Sequence, residues 1–275
     1  MTILVQYVHK KNLFQISYKM NPKTLLILTV FLVLNSGGLI AQNSERNVQH
    51  TISFKSKFTQ IKDEFNYGLV NNGFDLGGEY SFVKSAEKNT IIYSTEFDVG
   101  ANFKKGLGID WSFKPVDLFY GFRLNMNPGI PVTLGPYIAG YYKWQLFPFL
   151  QSGKMFWTSS WDLGPKLMVS LPYKNKIIGI SLSNSIAGCV SRPEMKTEEY
   201  YYSLSLADFV RNPYTNMTLG FQNVMNHTNV IVELTDKNKR RSVNYEFEYL
   251  GYMNEPMFRY VSHSINLKWK IGNEK

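Results

Sequence analysis

Cysteine is almost absent: the 275 residues contain one, Cys189. A lone thiol excludes an internal disulfide framework, so stability must come from a large core or from a surface that faces something other than water. An apolar run long enough to cross a bilayer as a helix is also missing. The longest, Leu25–Leu34, has about ten residues where a spanning helix needs about twenty. No set of His, Cys, Asp and Glu has metal-ligand spacing, and no glycine-rich phosphate loop occurs, so neither a metal nor a cofactor is expected. Basic blocks are lacking too. The run Lys237–Arg241 (KNKRR) is short and sits in a turn, where it reads as a solvated charge cluster and not as a nucleic-acid surface. Helical periodicity, a βαβ rhythm and exact internal repeats are all missing.

What is there begins with a leader. Met20–Gln42 carries a basic residue (Lys23), the apolar run Leu25–Leu34 and then small residues through Ala41, the pattern of a secretory signal peptide. Cleavage is expected after Ala41, with Gly38 as a second position because Leu39 is bulky at −3. Met20 opens this pattern by itself, so translation is expected to start there. Residues 1–41 are accordingly an N-terminal extension plus signal peptide, and residues 42–275 one β domain. Removing 1–41 takes away Lys10, Lys11, Lys19 and Lys23 and no acid, which lowers the formal net charge from +9 to +5.

Through the remainder the period is two. From Thr90 to Phe103, Ile91, Tyr93, Phe97, Val99 and Phe103 alternate with Ser94, Glu96, Asp98 and Asn102. Alternation of this kind puts one apolar and one polar face on a strand. It recurs in Leu107–Phe113, Leu118–Leu124, Trp157–Leu163, Ile178–Ile186, Val230–Leu234, Val243–Tyr249 and Val261–Ile271. The connections SAEKN (85–89), KKG (104–106), KPVD (114–117), NPGIP (127–131), PYKNK (172–176) and DKNK (236–239) have hairpin-turn composition. The pattern predicts an all-β, single antiparallel up-and-down transmembrane β-barrel of about twelve strands.

Three features favour lipid over water outside that barrel. The polar face carries charges in mid-strand, the apolar face is rich in Tyr and Trp near strand ends (Tyr93, Trp111, Trp144, Trp157, Tyr249, Trp269), and a long alternating strand reaches Trp269 and Ile271. That strand resembles the closing strand of Gram-negative outer-membrane β-barrel proteins, although Gly272–Lys275 follows where those proteins commonly stop at an aromatic residue. The resemblance is to the class and names no specific family. It implies an outer-membrane location, outer-membrane lipid as the surroundings, and the periplasmic export and barrel-assembly machinery as partners.

The lumen charges expected from the alternation are Glu96, Asp98, Asp110, Arg123, Asp162, Glu233, Glu246, Glu248, Lys268 and Lys270. Glu246 and Glu248 share a face, roughly 7 Å apart. They form either an acid–base pair or half of an interior charge ladder. Strands 240–249 and 257–271 are expected to be hairpin partners, which places Glu246 opposite a residue near Ser262 and its countercharge across the barrel.

Hydrolytic outer-membrane barrels use a His-x-Ser pair, which puts both groups on one face. Here His263 and Ser264 are adjacent and point to opposite faces, and Thr228 points away from His227. No catalytic residue is therefore expected. The connection Gly188–Asn212 carries Tyr200, Tyr201 and Tyr202, which suit either ligand contact on a surface loop or an aromatic girdle. The function expected is non-catalytic: a narrow small-solute pore, or a structural or surface-contact barrel. A lipid-directed hydrolase and a secreted soluble β-barrel that binds a small ligand are the alternatives.

Overall fold

The computed structural model describes residues 47–64, 68–103, 107–124, 130–147, 154–192, 217–236, 240–254 and 257–271. The leader (1–41) and the tyrosines 200–202 lie outside them. Twelve strands follow in order: β1 (Asn47–Asp63), β2 (Leu69–Ser85), β3 (Asn89–Phe103), β4 (Leu107–Leu124), β5 (Val132–Phe147), β6 (Lys154–Tyr173), β7 (Lys176–Asn184), β8 (Ala187–Ser191), β9 (Thr218–Phe221), β10 (Met225–Asp236), β11 (Arg241–Tyr252) and β12 (Phe258–Ile271). All pairings are antiparallel.

Ten of these strands close a ring. β1 to β7 pair in sequence, β7 pairs with β10, β10 with β11, β11 with β12, and β12 returns to β1. The barrel therefore has ten strands and not about twelve, and β8 and β9 stand outside the circuit. The registers explain the difference. β6 pairs with β7 from Lys166 to Tyr173 and with β8 from Ser159 to Leu163, so β8 runs on in line with β7 beyond one bulge. β9 pairs with β8 and, in the same way, continues β10.

A further difference concerns KPVD (114–117), expected as a turn. β4 runs straight through it. Pro115 has no N–H to give to a ladder, and the chain accommodates it in a bulge, where the register slips between Phe113 and Val116 against β5 and between Ser94 and Glu96 against β3. The PYKNK segment, by contrast, contains the tight β6–β7 turn, and Lys174 there takes a positive φ of 52°.

Outside and inside are inverted relative to a water-soluble barrel. Exterior positions hold Ile52, Phe54 and Phe58 on β1, Phe74 and Leu76 on β2, Phe97 and Val99 on β3, and Val243, Ile265 and Leu267 on β11 and β12, all exposed. A continuous apolar belt of this kind is incompatible with water and fits lipid. The interior holds Lys, Glu, Asp, Ser and Asn. The soluble alternative, which needs the apolar face inward, is overturned by this arrangement. Trp144 and Trp157, expected at the lipid boundary, do lie on the outer face, in register with the outward Trp111, although packing leaves both little exposed. They lie in a row with Trp111 along the β4–β5–β6 ladder, with ring centroids 6.1 and 5.9 Å apart.

Candidate functional site: a charged barrel interior

Ten strands enclose a space that side chains can fill, and the sequence supplies long ones. On β1, Ile52, Phe54 and Phe58 face out while Lys55, Lys57 and Thr59 face in. Lys55 Nζ lies 2.6 Å from Glu96, 2.9 Å from Glu246 and 3.6 Å from Glu79. Lys57 Nζ reaches Glu96 at 2.8 Å and Asp98 at 2.5 Å, and Ser112 Oγ donates to Asp98 at 2.9 Å. Lys114, carried inward beside the Pro115 bulge, binds Glu248 at 2.6 Å. Lys143 binds Asp110 at 2.8 Å and approaches Asp75 at 3.6 Å. Nine strands around the ring are linked through this lattice and its hydrogen bonds.

The close approach of two strands makes room for it. A Cβ on Gly77 would lie 1.9 Å from Asp98 Oδ1, and one on Gly100 would lie 2.1 Å from Asp75 Oδ1. Glycine at these inward positions is what lets the neighbouring carboxylates turn into the lumen.

His227 completes the middle layer. Its Nδ1 is 3.1 Å from Asp162 and its Nε2 2.9 Å from Glu248, and Tyr137 donates to the same Asp162 oxygen at 2.8 Å. Asn229 and Asn266 donate to Glu246 at 2.6 and 3.2 Å. Buried charges are tolerated only when paired and hydrogen-bonded in this way.

Above the lattice, toward the end where β1 finishes, the lumen is packed with apolar and aromatic side chains: Ile61, Tyr141, Met225, Leu250, Phe258 and Tyr260. Lys143 Nζ lies 4.9 Å from the centre of the Tyr260 ring. At that mouth Arg192 donates to both oxygens of Asp63, at 2.6 and 2.7 Å, and stacks on Phe258. Below the lattice, at the end where β1 begins, a recess of about 220 Å³ opens. Lys166, Asp117, Glu233, Lys268, Lys270 and Met168 are among the residues that line it.

The ten charges singled out by alternation fall into three groups. Glu96, Asp98, Asp110, Asp162, Glu246 and Glu248 are buried in the lattice. Glu233, Lys268 and Lys270 line the recess, where Lys268 is 3.7 Å from Glu233. Arg123 is not in the lumen proper; it sits exposed at the end of β4, its backbone N–H bonded to the Lys88 carbonyl. Sequence reasoning missed Lys55, Lys57, Lys114 and Lys143, which supply the countercharge, and His227, which bridges two acids. For Lys55 and Lys57 a signal existed: they alternate with Phe54 and Phe58.

As for hydrolytic chemistry, His263 is exposed on the outer wall with its Nδ1 2.6 Å from Tyr245 OH, while Ser264 is buried inside. Ser185 Oγ, the hydroxyl nearest His227 in the hydrogen-bond network, accepts from the His227 backbone N–H at 2.7 Å and not from its ring. Among the described residues no His–Ser dyad forms, and none of the acidic, His and Cys groups could hold a metal ion.

No family model matches the chain, and no curated protein is recognisably similar in sequence. Solved structures that resemble it share very little sequence. The outer-membrane protease OmpT from Escherichia coli is 9% identical with a TM-score of 0.45, over 84% of this chain and 99% of that one. The translocator domain of the autotransporter NalP from Neisseria meningitidis is 8% identical with a TM-score of 0.41, over 90% and 96%. Ail, the attachment invasion locus protein of Yersinia pestis, is 12% identical with a TM-score of 0.33, over 81% and 98%. On its own geometry, with charge inside, apolar side chains outside and a closed antiparallel ring, this chain is a β-barrel of the outer-membrane class.

Proposed function

We propose that the protein is an integral, non-conducting outer-membrane barrel whose work is done at its surfaces. Secretion by the leader at 1–41 and insertion by the barrel-assembly machinery belong to this proposal. One observation carries it: the lumen is filled across its middle. Lys55, Lys57, Asp98, Asp110, Lys143 and Glu248 are each at most 2% exposed. A path for solutes would have to break several paired charges at once, each pairing made in a low-dielectric interior where an abandoned charge is costly. That favours the structural or surface-contact function over a pore. The long connection between β8 and β9 starts from the end of the barrel opposite the start of β1, and in barrels of this type long loops face outside.

Single-channel recording in planar bilayers tests the proposal. The expected result is a membrane that stays electrically silent with the protein inserted. Neutralising Glu246 and Glu248 together (Glu246→Gln, Glu248→Gln) should lower the unfolding midpoint without creating conductance. Discrete, reproducible openings of the unmodified protein would overturn the proposal.

A further inference from the structure

Between β9 and β10 the barrel wall is interrupted. Along β7–β8, Asn184 and Ala187 are three positions apart, whereas their partners on the next strand, Thr228 and Phe221, are seven apart. Four extra residues are therefore looped out between β9 and β10. Gln222–Val224 form a turn, closed by the Val224 N–H donating to the Phe221 carbonyl at 2.7 Å.

The excess points outward. Gln222 and Asn223 are exposed, and Phe221, at 69%, is the most exposed large hydrophobic residue of those described. Around the turn lies a knot of uncharged polar side chains. Asn184 Nδ2 donates to Thr228 Oγ1 at 2.6 Å and to Asn226 Oδ1 at 3.2 Å, and Gln222 Nε2 donates to Asn184 Oδ1 at 2.8 Å. Thr228 Oγ1 donates to Asn226 Oδ1 at 2.8 Å. Among the described residues nothing pairs with the Asn223 carboxamide, with Gln222 Oε1 or with Asn226 Nδ2.

The position of this knot is what needs explaining. On the same outer face Ile180, Leu182, Val232 and Leu234 lie toward one mouth, and Ile186 and Leu219 toward the other. The polar groups thus sit within the apolar belt and not at its edge. Hydrocarbon offers them no hydrogen-bond partner, and each unmet group there is expensive. A protein partner can meet them.

We propose that the outer wall formed by β7–β8 and β9–β10 is the contact face of a membrane-embedded homodimer, with the Gln222–Asn223 turn at its centre. Chemistry selects a second copy as the occupant. The patch carries carboxamides and a hydroxyl and no charge, and every carboxamide both donates and accepts. Such a surface is complementary to itself across a two-fold axis, where residue i of one copy meets residue j of the other and the reverse. Uncharged amide contacts between membrane segments supply association that apolar surface against lipid cannot. Phe221 supplies a protruding apolar anchor beside them. The proposal rests on the barrel being membrane-embedded.

Cysteine cross-linking in lipid vesicles tests it, with Cys189→Ser as background. Asn223→Cys is compared with Val99→Cys, which faces outward on β3 at the far side of the ring, at a low protein-to-lipid ratio. Vesicle flotation is measured on each sample first. The expected result is a disulfide-linked dimer for Asn223→Cys at a yield at least roughly tenfold above that of Val99→Cys, and a dimer mass for the unmodified protein. Gln222→Leu with Asn223→Leu should still float and fold, yet shift the dimer toward monomer by roughly tenfold, in line with interhelical amide bonds of about 1–2 kcal/mol. Floating protein that cross-links no better through Asn223→Cys than through Val99→Cys overturns the dimer and leaves the membrane barrel standing. Protein that does not float overturns both.

Discussion

Lys55 and Glu246 meet at 2.9 Å inside the barrel, although β12 lies between their strands. Glu246 is in register with Ser264 on β12, and its countercharge comes from β1, the next strand along. The sequence pattern had placed that charge across the lumen. A lysine is long enough to pass over one neighbouring strand, so the lattice is built around the wall as well as across it.

Removing one partner of this pair leaves the others stranded. Lys55→Met is expected to lower stability by about 3–5 kcal/mol, the typical cost of an uncompensated buried charge. Urea unfolding in lipid vesicles measures it. Adding Glu246→Leu should recover part of the loss, because the abandoned carboxylate is then gone. A single variant as stable as the parent would show that the interior is hydrated enough to hold Glu246 without its lysine.

The outer face makes the complementary prediction. Leu267→Arg or Val243→Arg should cost about 2–4 kcal/mol if the position lies near the bilayer midplane. Ser264→Ala, which removes a hydroxyl 3.5 Å from Glu246 inside the barrel, should cost about 1 kcal/mol, the usual net worth of one hydrogen bond. Equal sensitivity at the two positions would contradict the inverted arrangement of faces.

Asp63 and Arg192 close the mouth above the apolar layer, and both are almost fully buried. Arg192→Met leaves Asp63 with less countercharge, and its expected effect is a loss of about 3–5 kcal/mol of stability, the typical cost of removing one partner of a buried pair, read as a lower urea midpoint. Arg192→Lys restores the charge without the two-pronged contact and should recover only part of the loss.

Much of the fold was legible because period-two alternation is a direct image of a strand with two different surroundings. Val261–Ile271 and Val243–Tyr249 were read with the correct faces and as hairpin partners. β1 was not read as a strand, because lysines at 55 and 57 look like solvent-facing residues until a lumen exists to receive them. Pro115 was read as a turn, because composition alone cannot distinguish a turn from a bulge within a strand. The turn expected at 114–117 splits β4 in two, which is one reason the expected count stands near twelve where the ring has ten. His227 was legible only as a residue that lacked a nucleophile; its two acids come from strands that sequence spacing does not bring together. The looped-out turn at Gln222–Val224 left no periodic trace, since it is a break in pattern within a stretch that already had none.

Glycine tests the wall where β7 gives way to β8. A Cβ on Gly164 would lie 2.0 Å from the Asn184 carbonyl oxygen and 2.9 Å from its carbon, both backbone atoms that no rotamer change can move. On Gly179, further down the neighbouring strand, the nearest atom would be Glu233 Cβ at 3.7 Å, an ordinary contact. Gly164→Ala must therefore push β6 and β7 apart at the bulge, at a cost of about 1–3 kcal/mol for overpacking. Gly179→Ala meets no such obstacle and should be neutral or stabilising by about 0.4–1 kcal/mol, through the reduced freedom of the unfolded chain. Urea midpoints of the two variants in the same vesicles give the comparison. If Gly164→Ala unfolds at the same urea concentration as Gly179→Ala, the close approach of the two strands at Asn184 is wrong.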